Sequence, residues 1–106
     1  MQASRFRNIT KERLEQMRLR GKRQVLVADV RTPEYFRNGT ISGAVNLYPT
    51  RNFVNKLHTL SKEKKSPIVI FGQDMNDDEA RASANYAEQL GFENVYVTDF
   101  QTLREG

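Results

Sequence analysis

A chain of 106 residues makes one domain around one modest hydrophobic core. It contains no cysteine, which excludes a disulfide framework, a thiolate nucleophile and thiolate metal sites together. The net charge of +4 is unevenly spread: residues 1–24 carry eight basic and two acidic side chains, a local +6 that leaves the remainder at −2.

The expectation is a single domain over residues 1–106, with residues 1–8 a flexible basic tail. Arg5 and Arg7 are not followed by the apolar segment of a secretory leader, and no stretch approaches the roughly 20 apolar residues of a membrane span. A cytoplasmic protein without a membrane partner is therefore expected.

Ile9-Thr10 followed by Leu14 forms an N-cap with a hydrophobic staple, opening a first helix from about Lys11 to Arg20. Leu14 and Met17 face the core, and Gly21 can take the left-handed conformation that ends the helix. Val25 to Val30 is apolar without alternation, the pattern of a parallel strand covered on both faces. Thr32-Pro33-Glu34 opens a short helix that stops at Asn38-Gly39, and Gly43 to Leu47 returns to the sheet. Positive φ is the simplest reason for Gly39 and Gly43. Thr50 can cap a helix with Phe53, Val54, Leu57 and Leu60 on one stripe. A strand from Ile68 to Phe71, a polar loop from Gly72 to Asp78, a helix from about Glu79 to Leu90 and a strand from Asn94 to Thr98 complete the series. The helix after the loop turns Ala80, Ala84, Ala87 and Leu90 inward, and the remaining tail is too short to classify.

Strands alternating with helices predict an α/β fold: a three-layer sandwich with a central parallel sheet flanked by helices. Ligands in such sheets gather at the carboxyl ends of the strands, where the Gly72 to Asp78 loop falls.

Several segments resemble one family. Asp29-Val30-Arg31, Glu34-Tyr35 and Gly39-Thr40-Ile41-Ser42-Gly43-Ala44-Val45-Asn46 look like the DVR, EY and GHIPGAxN signature of rhodanese-like domains. Pro67 to Phe71 resembles the strand leading into the rhodanese active loop, and Leu90 to Tyr96 resembles its LGFxNVY segment. In that family the strand ends in a cysteine that accepts a sulfane sulfur, and backbone N–H groups with an arginine cradle the persulfide or an oxyanion. The resemblance places Gly72 at the cysteine, which blocks the first covalent step, and Thr40 at the GHI histidine. It also places an acid at the arginine position, with Arg81 nearby, and replaces a Gly-Gly pair and tryptophan helix by Asp99 to Leu103. Asp29, Arg31 and Glu34 are implied to be structural, holding the strand end and the helix after it.

The loop reads Gly72, Gln73, Asp74, Met75, Asn76, Asp77, Asp78, Glu79, with Arg81 one turn into the helix. Its four carboxylates reverse the positive potential that an anionic sulfur or phosphate needs, and Asp77, Asp78 and Glu79 complement the helix N-terminus instead. Asp74, Asn76 and Asp78 have the alternation of a calcium loop but lack its glycine and distal glutamate, so no metal and no cofactor is expected. The single histidine, His58, reads as an exposed or half-buried residue of its helix rather than a catalyst, and Ser83 has no base in its local sequence.

The first functional reading is a catalytically inactive rhodanese-like domain, a pseudoenzyme used for protein binding or regulation. Its candidate contacts are the acidic loop and a basic surface of Arg13, Arg18, Arg20, Lys22 and Arg23. A second reading is a non-covalent anion-binding protein, or a sulfurtransferase- or phosphatase-related enzyme, using the loop after residues 67–71. A third is nucleic-acid binding through the first 24 residues.

Overall fold

In the computed structural model, which describes residues 7–49, 52–74 and 76–104, five parallel strands run through the middle of the chain's fold in the order β1-β5-β4-β2-β3. The strands are β1 (Arg7–Asn8), β2 (Leu26–Asp29), β3 (Val45–Asn46), β4 (Ile68–Gly72) and β5 (Val95–Asp99). The helices are α1 (Lys11–Arg20), α2 (Pro33–Asn38), α3 (Phe53–Leu60), α4 (Asp78–Gln89) and α5 (Phe100–Arg104).

β4 lies at the centre with all five residues buried, as its unbroken apolar run requires. Its side chains alternate between two clusters. Ile68 and Ile70 join Phe53 and Leu57 of α3 and Ala80, Ala84 and Ala87 of α4, while Val69 and Phe71 join Leu14 and Met17 of α1 and Leu103 of α5. The expected three-layer sandwich is thus α3 and α4 on one face and α1 and α5 on the other. Small alanines on α4 are what let that helix lie close to the sheet.

Thr10 caps α1 by accepting from the Arg13 N–H at 3.1 Å, and Ile9 and Leu14 are buried in one cluster. Gly21 departs from expectation. It is extended (φ −69°, ψ 144°), and glycine is needed because its N–H bonds the Met17 carbonyl at 3.0 Å, where an added Cβ would press on that oxygen. Gly43 does take positive φ, at 82°. The stripe on α3 is also shorter than predicted: Phe53 and Leu57 are buried, but Leu60, the last residue of the helix, is 44% exposed. Thr50, the expected cap, lies outside the described residues; Asn52 occupies the N-cap of α3 without a side-chain cap bond.

Two elements were not anticipated. Arg7 and Asn8, assigned by sequence to a tail, form β1 by pairing with Tyr96 and Val97, and the Arg7 guanidinium bonds the Tyr96 hydroxyl at 3.1 Å. Residues 1–6 of that tail lie outside the described residues. The unclassified C-terminal stretch folds as α5, capped by Asp99. No helix among the described residues is long and apolar enough to cross a membrane.

These positions predict opposite outcomes for two leucines of one helix. Leu57→Ala should lower the unfolding free energy by about 2–5 kcal/mol, whereas Leu60→Ala should stay within about 0.5 kcal/mol of the parent in urea denaturation.

Candidate functional site

The carboxyl ends of β2, β4 and β5 meet at one end of the sheet, where Asp29 pairs in register with Phe71 and Gly72 with Asp99. Two carboxylates organise this end. The first, Asp29, is completely buried and receives the Arg31 guanidinium in a fork, Nε to Oδ1 at 3.0 Å and Nη2 to Oδ2 at 2.8 Å. Its oxygens also accept the Arg31 N–H at 2.9 Å and the Thr40 hydroxyl at 2.8 Å. Arg31 also donates from Nη2 to the Gly39 carbonyl and from Nη1 to Gln73 Oε1, at 2.7 and 3.1 Å. Phe100 of α5 lies under the guanidinium, with 4.1 Å from Cζ to the ring centre. Glu34, grouped with this pair by sequence, is exposed in the first turn of α2 and makes no hydrogen bond or ion pair among the described residues.

The second carboxylate, Asp77, closes the loop after β4. Its Oδ2 accepts the Gln73 N–H at 2.8 Å and its Oδ1 the Glu79 N–H at 2.9 Å, so it both caps α4 and fills the concavity beneath the loop. The Asp77 N–H is itself held by the Asp74 carbonyl at 3.1 Å, and Asp74 Oδ1 accepts from the Asn76 N–H at 2.9 Å. Gly72 is buried directly against this carboxylate. A Cβ built on it would fall on the Asp77 carboxyl oxygen and 2.7 Å from the Asp77 Cβ.

The other acids behave differently. Asp78 and Glu79 are exposed in the first turn of α4, where negative charge complements the helix dipole, and Asp78 pairs with Arg81 at 3.1 Å. Among the described residues, no group of three or more histidine, cysteine or acidic side chains could hold a metal ion. Met75 lies outside the described residues. Ser83 is buried with its Oγ unpartnered, and His58 sits exposed on α3 with Nδ1 3.4 Å from Lys64 Nζ.

The basic residues singled out by sequence are engaged in different ways. Arg18 donates to the Ser42 carbonyl at 2.7 Å, and Arg23 pairs with Glu63 at 3.3 Å. Arg13 and Arg20 are exposed on α1, whereas Lys22 and Arg23 turn toward the amino ends of the strands. Sequence reasoning missed the Gln73–Arg31 link and the Phe100 stack. It also missed that Asp77 alone of the four acids faces inward; the cap signal, an aspartate two residues before Glu79, was present but ambiguous beside Asp78.

The site is thus an arginine-braced strand end in a parallel three-layer α/β domain, with a loop closed over a glycine and no cysteine anywhere in the chain. The chain matches the rhodanese-like domain family over residues 10–99 and belongs to it. It is 33% identical over 92 residues to the uncharacterized protein YibN of Escherichia coli K12, an overlap of 87% of this chain and 59% of YibN. The chain therefore spans about three fifths of that relative. A rhodanese-like domain protein from Staphylococcus aureus superposes with a TM-score of 0.69 at 21% identity, covering 92% of this chain and 91% of the other. The BH2092 protein of Bacillus halodurans does so with 0.71 at 21%, covering 93% and 72%. At that identity both establish the shared fold.

Two outcomes follow from the two carboxylates. Asp29→Ala leaves a buried guanidinium without its counter-charge and should cost about 3–5 kcal/mol in denaturant unfolding. Gly72→Ala should destabilise by about 1–3 kcal/mol through overpacking. Combined with Asp77→Gly, the loss should be smaller than the sum of the single losses by at least about 0.5 kcal/mol, as a double-mutant cycle would measure.

Proposed function

We propose that this chain is a catalytically inactive rhodanese-like domain serving as a protein-interaction or regulatory module. The observation that carries this reading is the seat of Asp77. Its carboxylate takes the Gln73 and Glu79 N–H groups, the donors a transferred anion would need, and stands where a side chain at position 72 would project. Sulfur transfer through a covalent persulfide also requires a thiolate, and the chain has no cysteine.

The same carboxylate weighs against a non-covalent anion-binding or phosphatase-related enzyme at this loop. Two like charges about 4 Å apart repel by roughly 4 kcal/mol at an effective dielectric of 20, so an anionic substrate would first have to displace Asp77. Nucleic-acid binding through the N-terminal segment is weakened by the engagement of Arg18 and Arg23 with protein groups. What the loop does offer outward is an acidic surface of Asp74, Asp78 and Glu79 on an anchored backbone, suited to contact rather than turnover.

Thiosulfate:cyanide sulfurtransferase assays test the catalytic half of the proposal. Neither the parent chain nor Gly72→Cys should form thiocyanate above the buffer rate, because in the variant the new side chain has no room beside Asp77. Turnover by the parent chain would overturn the reading.

A further inference from the structure

The amino ends of β2 and β4, at the opposite end of the sheet from Gly72, open onto a groove of about 540 Å³. Val25, Leu26, Val45 and Leu60 give it apolar surface. Lys22, Arg23, Lys62 and Glu63 line it with charge. Val45, Thr59 and Leu60 are shared with a second hollow between β3 and α3, to which Lys56 is added, so the two form one track along the edge of the sheet. No strand lies beyond β3 among the described residues.

The charge on this track is one-sided. Arg23 and Glu63 satisfy each other at 3.3 Å, whereas Lys22, Lys56 and Lys62 make no ion pair among the described residues. Three uncompensated cations thus stand along an apolar strip, although residues 25–106 as a whole carry a net negative charge. An apolar strip bordered by cations complements a chain segment that carries both apolar and carboxylate side chains. Neither hollow has an aromatic residue on which a base could stack, which disfavours single-stranded nucleic acid.

We propose that this groove docks an extended acidic segment of a partner protein, its apolar side chains against Leu26, Val45 and Leu60 and its carboxylates near Lys22, Lys56 and Lys62. The proposal rests on the reading of the chain as an interaction module but uses a surface separate from the acidic loop.

Fluorescence anisotropy with the intact chain and a labelled peptide of alternating Leu and Glu tests it, with Leu-Lys and Ser-Glu peptides as charge and apolar controls. The Leu-Glu peptide should bind about tenfold or more tightly than either control, a difference of about 1.4 kcal/mol. Its affinity should fall with salt and drop by a similar factor in Lys22→Glu/Lys62→Glu and in Leu60→Ser, all exposed positions whose variants should keep the parent's thermal midpoint. Asp74→Asn/Asp78→Asn/Glu79→Gln should bind as the parent does. Equal binding of the Leu-Lys peptide, a loss confined to the loop variant, tighter binding of polyuridylate at the same lysines, or no binding at millimolar peptide would each overturn the proposal. Failure here leaves the Asp77 argument intact, whereas thiocyanate formation by the parent chain would defeat the non-catalytic reading without touching the groove.

Discussion

Four other segments, at Gly39-Thr40, Asn46, Gln73 and Phe100, converge on the buried pair of Asp29 and Arg31. Burying two charges costs several kcal/mol per ion, and the geometry offsets this only when the remaining lone pairs and protons are also engaged. Here they are. Asp29 takes donors from Arg31 and Thr40, and Arg31 reaches the end of α2 through the Gly39 carbonyl and the loop after β4 through Gln73. Asn46 of β3 adds bonds to the carbonyls of both residues, each 3.0 Å long. A lysine could supply the charge but not the planar fork together with the face stacked on Phe100, so the position is specific to arginine.

That brace sets the conditions under which the loop after β4 folds. Gln73 is held at one end by Arg31 through its side chain and at the other by Asp77 through its N–H, so the start of the loop has little freedom to rearrange. Gly72 and Asp77 are then mutually dependent. The carboxylate can enter the concavity because residue 72 has no side chain, and residue 72 can have none because the carboxylate supplies the contacts a side chain would make. The Asp77 carboxylate acts as an internal cap, and such charged capping bonds are stabilising.

The centre of this architecture is legible in the sequence because local signals and tertiary demands agree there. β4 is apolar without a break, Ile9-Thr10-Leu14 carries a complete staple and cap, and the alanines of α4 recur at helical spacing. Legibility fails where structure depends on a distant partner. Nothing in Arg7-Asn8 specifies a strand; Tyr96 and Val97, almost the length of the chain away, do. Gly21 shows the same limit in miniature, since a helix-ending glycine has two different reasons and only the Met17 carbonyl decides between them. The four acids of the loop share composition, and their roles separate only when the backbone N–H groups of Gln73 and Glu79 are placed around one of them. The partners of the basic run are likewise set by tertiary structure: helix α1 and the chain after it send Arg18 to the Ser42 carbonyl, Arg23 to Glu63, and Lys22 to the groove beside Lys62.

The distribution of compensated and uncompensated charge then bears on where the molecule can act. In a parallel α/β sandwich the helix N-termini lie at the carboxyl end of the strands, and there Asp77 is engaged by backbone N–H groups and Asp78 by Arg81, both beside the positive end of α4. At the amino end Lys22 and Lys62, and along the β3 edge Lys56, make no ion pair among the described residues, and apolar Leu60 is exposed in both hollows. Charge that is satisfied internally adds little to recognition, since a partner gains only what it does not have to displace. What is self-contained at the loop end is therefore the seat of Asp77, with Asp74, Asp78 and Glu79 left as exposed charge around it, while the opposite end of the sheet joins cations to apolar surface.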